Sequence, residues 1–228
     1  MKGSIAAWFA LLVLAVGAQS CYAQWTEGKD YFLVSPPQHT TVASGKVEVM
    51  EVFSYACPAC NAFQPIMKQL QASLPPNAQV VYLPASFIPA EDWPVFQRAF
   101  FAAQALGVAE KTHEAMFNAV WTTGELAVSD PTTHRLKNPL PTIEDVAKFY
   151  QHAAGVSPDK FLAAAKSFGV DAKMRMADAE IGAAGAMSTP TLIVNGKYRL
   201  TAQSAGTFDR LIQLVKYLVA QESSAAGH

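Results

Sequence analysis

The 228-residue chain predicts a mixed α/β fold interrupted by a long all-helical insertion. Three observations carry that expectation. A strand–helix–strand pattern occupies residues 46–83, and a hairpin followed by a helix closes the chain from Thr191 to about Gln221. Between them, residues 88–170 carry helical periodicity and no strand pattern. Neither end portion could bury its apolar faces alone, so their strands are expected to share one sheet with the helical segment packed beside it.

The first residues read as an address. Lys2 precedes an uncharged run from Ile5 to Ala18, and Cys21-Tyr22-Ala23 offers a cleavage site. This is the pattern of a secretory signal peptide over 1–23, with the mature chain beginning at Gln24. The run is shorter than the ~20 apolar residues needed to span a bilayer. Cys21 leaves open a lipidated alternative, although Ala18-Gln19-Ser20 is a poor match to the sequence that would direct it. The net charge of −1 offers no basic surplus for nucleic acid or an anionic membrane.

Tyr31 to Val34 suggests an edge strand ahead of Pro36-Pro37, and Lys46 to Phe53 the first long one. Val47, Val49, Glu51 and Phe53 recur at the strand period, which puts an acid on an otherwise apolar face. A helix follows from Pro58 to Ser73, with Phe63, Ile66, Met67 and Leu70 on its apolar side, and stops before Pro75-Pro76. Gln79 to Leu83 is the next strand, completing a β-α-β unit. Asp92 to Trp121 has the spacing of two helices divided at Gly107. A Pro-rich loop leads to Thr142, which with Asp145 resembles a capping pair for a helix to about Ala154. Ser157-Pro158 starts another helix, expected to end at Gly169, and a further one is expected from Asp171 to Gly182. Asn195-Gly196 between Thr191–Val194 and Lys197–Leu200 has the signature of a type I′ hairpin turn. A last helix is expected from Gly206 to Gln221, with 223–228 as a flexible tail.

The chemistry centres on Cys57-Pro58-Ala59-Cys60, at the junction of strand and helix. Cys57 falls at the N-cap and Pro58 at the first helical position, where a missing N–H costs nothing. A thiolate at Cys57 can accept the unpaired N–H groups of the first turn, which lowers its pKa below the free value of about 8.5. Cys60, one turn further in, is expected to be buried and to resolve a mixed disulfide formed on an exposed Cys57. A zinc site would need two more ligands at suitable spacing, and the chain offers no second cysteine pair and no closely spaced histidine pair. With Cys21 removed, only these two cysteines remain, and a bridge closing so short a loop stabilises little. Reactivity in an oxidising compartment explains them better than stapling does. Glu51 runs toward the pair on the preceding strand. Buried, it would have a raised pKa and could exchange protons with Cys60; at a bent sheet rim it would face water.

This order of elements, together with Cys-Pro-Ala-Cys and Ser188-Thr189-Pro190 ahead of the hairpin, resembles the DsbA family of periplasmic thiol:disulfide oxidoreductases. The resemblance implies a thioredoxin-like domain over 24–87 and 171–222 and an inserted helical domain over 88–170. It implies that Thr189-Pro190 is a cis peptide beside the sulfurs, and that the Thr189 backbone pairs with an extended substrate segment. It also implies reoxidation by a DsbB-like quinone-linked membrane oxidase. No cofactor is expected beyond the Cys57–Cys60 disulfide, no metal, and a monomer.

Two positions depart from the family pattern. Ala59 stands where the strongly oxidising members carry a histidine, and Tyr82 stands where many members pair a lysine with the buried acid. Both losses weaken support for a thiolate. One pKa unit corresponds to about 1.4 kcal/mol, or about 30 mV if it falls wholly on the reduced state. Oxidase activity with a weaker driving force is therefore expected. A reductase or isomerase on the same fold, or a chaperone-like peptide-binding protein with incidental cysteines, are the rival readings. The histidines His39, His113, His134, His152 and His228 are scattered, and nothing in the sequence marks one as a base or ligand.

Overall fold

The computed structural model describes residues 25–225, so the expected signal peptide, Cys21 and the last three residues lie outside the described part. Five strands form one mixed sheet: β1 (Phe32–Leu33), β2 (Val47–Phe53), β3 (Ala78–Pro84), β4 (Thr191–Val194) and β5 (Tyr198–Leu200). Their order is β1-β5-β4-β2-β3, so strands from both ends of the chain do share one sheet. β2 is flanked by β3 in parallel and β4 antiparallel, with Glu51 opposite Tyr82 on one side and Leu192 on the other. All seven residues of β2 are buried, as its internal position requires.

Local signals explain most boundaries. Asn195 (φ 51) and Gly196 (φ 66) supply the positive dihedrals of the β4–β5 turn, closed by Lys197 N donating to the Val194 carbonyl at 3.0 Å. Helix α1 (Pro58–Ser73) begins at the N-cap Cys57. The insertion follows as α2 (Trp93–Ala105), α3 (Ala109–Trp121), α4 (Ile143–Ala154) and α5 (Pro158–Ala165). Thr142 and Asp145 make a reciprocal capping box on α4.

Three expectations need correction. Gly169 does not end a helix; it lies in the first turn of α6 (Phe168–Ala183), which therefore starts ahead of Asp171. The break falls at Ser167, whose hydroxyl accepts from Val170 N at 3.3 Å and starts the new helix. A division at 170/171 thus cuts the first turn of α6. Near the C-terminus, Gly206 (φ 91) separates a short α7 (Ala202–Ala205) from α8 (Phe208–Ala225). Residues 223–225 belong to α8 and not to a tail: Ser223 Oγ accepts from Asn77 Nδ2 at 2.8 Å and donates to the Val219 carbonyl.

Two apolar clusters flank the sheet. One joins Val47, Val49, Leu192 and Val194 to Phe63, Met67 and Leu70 of α1 and Leu214, Val215 and Leu218 of α8. The other joins Met50, Val52 and Ile193 to the insertion through Phe96, Phe100 and Phe117, and to α6 through Ile181. Phe53 belongs to the second, at edge-on distances of 5.5 Å from Phe100 and 5.0 Å from His113. No described helix is long and apolar enough to cross a membrane.

Candidate active site

The end of β2, the start of α1 and the loop before β4 converge on Cys57. The chain leaves β2 through a tight turn in which Cys57 N donates to the Ser54 carbonyl at 3.1 Å and Ala56 N to Ser54 Oγ at 3.2 Å. The turn delivers Cys57 to the N-cap with extended dihedrals, and its sulfur accepts from Cys60 N at 3.3 Å. A sulfur thus occupies the place that a serine or aspartate oxygen takes in an ordinary cap. The Thr189-Pro190 peptide is cis, and the Thr189 carbonyl lies 3.7 Å from Cys57 Sγ, within reach of a donating thiol.

Both cysteines are unbridged thiols. Cys60 is fully buried, as expected. Cys57 departs from expectation: only 4% of it is exposed, where the sequence suggested an open sulfur. The cause is long-range, since the Thr189 loop, 132 residues away, closes over one side of the sulfur. Pro58 and Ala59, which follow Cys57, are exposed and uncharged, and so are Met187 and Ser188 just ahead of Thr189 in the chain.

Opposed forces set the two thiols apart. The Cys60 thiol is the strongest influence on Cys57 and favours its thiolate; burial opposes, and Thr189 and the backbone N–H groups of Cys60 and Ala59 assist, taking it from 9.0 down to about 6. Cys60 is pushed up, chiefly by burial, then by the Cys57 sulfur and Glu51. The helical N–H groups follow from the sequence; the neighbouring thiol does not, because it becomes a donor only once the fold brings the two sulfurs together. The arrangement holds one sulfur as a ready anion beside another that keeps its proton.

Glu51 is completely buried, and neither carboxyl oxygen has a partner. Burial, reinforced by Cys57, raises its pKa from 4.5 to about 8. Tyr82, its neighbour across the strands, is raised to about 12 by burial and by Glu51, so no cation stands where a lysine would. No group of three or more His, Cys, Asp and Glu suited to a metal ion occurs among the described residues.

Three further residues reach this site without having been singled out. Tyr55 is 1% exposed; its carbonyl accepts from Trp121 Nε1 at 2.7 Å and its hydroxyl pairs with His113 Nδ1 at 2.9 Å. His113 stacks on Tyr82 with centroids 4.1 Å apart. Its position on the buried side of α3, one turn before Met116 and Phe117, was the available signal that it is a core residue.

Comparison with known proteins agrees with this geometry. A family model described as Thioredoxin matches residues 42–214. The thiol:disulfide interchange protein DsbA of Pseudomonas aeruginosa is 34% identical over 202 residues, 89% of this chain and 88% of its own. That of Azotobacter vinelandii is 34% identical over 225 residues, 98% and 97% of the two chains. Among solved structures, P. aeruginosa DsbA superimposes with a TM-score of 0.72 at 33% identity, covering 90% of this chain and 97% of that one. The oxidoreductase DsbA from Xylella fastidiosa gives 0.74 at 30% identity, covering 86% and 97%.

Proposed function

The chain belongs to the DsbA family of thioredoxin-like thiol:disulfide oxidoreductases, and from that premise we propose that its Cys57–Cys60 disulfide is the one donated to reduced secreted polypeptides. A substrate thiolate attacks Cys57 Sγ, the Cys57–Cys60 bond breaks, and the electron pair leaves on Cys60. Cys60, whose thiol is favoured by burial, then takes up a proton; Glu51, with a pKa near neutrality, is placed on the adjacent strand to supply it. A second substrate thiolate attacks the substrate sulfur of the mixed disulfide and expels Cys57 as a thiolate. Two electrons have passed from substrate to enzyme, and the substrate holds the new disulfide. The observation that carries the direction is the Cys57 sulfur at the N-cap of α1, accepting from Cys60 N at 3.3 Å; support of that kind lowers its pKa, which makes it a good leaving group and stabilises the reduced enzyme.

Substrate recognition is assigned to Thr189 and Pro190. The sulfur's small opening and the uncharged residues beside Cys57 and Thr189 in the chain suit an extended, unfolded segment aligned along the Thr189 backbone, with little dependence on side-chain charge. Pro58 and Ala59 form the other wall. Periplasmic location after signal-peptide removal, action as a monomer, and reoxidation by a DsbB-like quinone-linked membrane oxidase complete the reading. So does a division into a thioredoxin-like domain and a helical insertion, supported by the separate apolar clusters on the two sides of the sheet.

The test is oxidative refolding of a reduced, unfolded substrate with the oxidised protein. The wild type is expected to transfer one disulfide per molecule and Cys57→Ala none. If Cys57→Ala protects the substrate as well as the wild type does, the protein is a chaperone; if the wild type only removes or shuffles bridges, it is a reductase or isomerase.

A further inference from the structure

We propose that Trp121 of α3 is a positioning residue for Cys57: with His113 it holds Tyr55, and so locks the turn that aims the Cys57 sulfur at the Cys60 N–H. The inference rests on the reading of Cys57 as the reactive sulfur and deepens it.

The turn from Ser54 to Cys57 has little freedom of its own, and its contacts divide into local and distant ones. Locally, Cys57 N is tied to the Ser54 carbonyl and Ala56 N to Ser54 Oγ. The Tyr55 carbonyl, which belongs to the same peptide group as Ala56 N, points the other way and takes the indole N–H of Trp121 at 2.7 Å, across 66 residues of sequence. That peptide plane is therefore gripped from both sides. The Tyr55 ring is fixed as firmly, by its hydroxyl at 2.9 Å from His113 Nδ1 and by edge-on contacts with Phe53 and Phe117, both at 5.0 Å. Trp121 and His113 lie two turns apart on one helix, so α3 holds the turn at two points.

Two residues after Tyr55, the direction of the chain decides where the sulfur sits. At 3.3 Å the Cys60 N–H bond to Cys57 Sγ is well formed for a sulfur acceptor, and because a hydrogen bond weakens as donor and acceptor fall out of line, a rotation of the 55–56 peptide that displaces the sulfur weakens it. The same rotation alters the approach of the Cys60 thiol. The Thr189 carbonyl, in the loop before β4, and the buried Glu51, on β2, are held by other elements and would not follow. The helical insertion thereby acts on the reactivity of a sulfur that none of these α3 side chains contacts by hydrogen bond.

The experiment is a thiolate titration of reduced Trp121→Phe, which keeps an aromatic ring and removes the donor. The expected result is a Cys57 midpoint raised by about half a unit or more, a threefold fall in the thiolate-to-thiol ratio. Val120→Ala, which opens a cavity in the buried side of the same helix and removes none of the hydrogen bonds that hold Tyr55, is the control; it should lower the melting temperature and leave the midpoint in place. Should Trp121→Phe not fold, Tyr55→Phe removes one hydroxyl, keeps the ring, and carries the same expectation through the His113 arm. A wild type titrating low with both variants unmoved, or an equal shift in Val120→Ala, overturns this inference alone. A wild type titrating near the free-thiol value overturns the reading of Cys57 as well.

Discussion

Glu51 on β2 lies opposite Tyr82 on β3, fully buried, with both carboxyl oxygens unpartnered. A cation at position 82 would stabilise its charge; a phenol does not. Near neutral pH the carboxyl is therefore mostly protonated, and the charged form it takes at higher pH costs stability.

That cost has a pH signature. The unfolded chain releases this proton near pH 4.5, the folded one near 8, so the folded state binds the extra proton between those values. Stability then falls as pH rises through this window. Glu51→Leu should match the wild type's pH profile below 4.5 and gain on it by roughly 3 kcal/mol by pH 7, measured by urea unfolding of the reduced proteins. Parallel profiles would contradict the buried titration.

Ala59 is exposed between the two cysteines and offers the Cys57 sulfur only its backbone N–H. Ala59→His adds a side chain that can carry charge. It should lower the Cys57 midpoint by about one unit and make the protein about 30 mV more oxidising. Equilibration of the protein with glutathione buffers measures this, and an unchanged potential would contradict it.

Gly196 combines a positive φ of 66° with a backbone crossing: an added Cβ would run into the Gln38 carbonyl, while Gln38 N donates to Gly196 O at 2.9 Å. Gly196→Ala should cost more than about 2 kcal/mol in unfolding free energy. The turn lies at the far end of β4 from Pro190, so the reduction potential of the folded variant should be unchanged.

What could be read in the sequence was what short-range chemistry decides. The Cys57 cap with Pro58 behind it, the Thr142–Asp145 box and the Asn195-Gly196 turn each depend on residues within one helical turn or hairpin, and the structure contains all three. The common sheet followed from the need to bury two incomplete apolar faces. The α5–α6 break at Ser167 escaped because Gly169 was the more conspicuous breaker, yet it lacks the positive φ of a helix stop. The near-burial of Cys57 and the grip of Trp121 and His113 on Tyr55 escaped for another reason. They join segments 132, 66 and 58 residues apart, and no local pattern encodes such a meeting.

The central claim is that Cys57 is an anion at neutral pH because its partner thiol and the first turn of α1 stabilise it. Ultraviolet absorbance of the thiolate, followed through a pH titration of the reduced protein, tests this directly. A midpoint near pH 6 is the result expected. A midpoint at or above the ordinary thiol value of about 8.5 would contradict it.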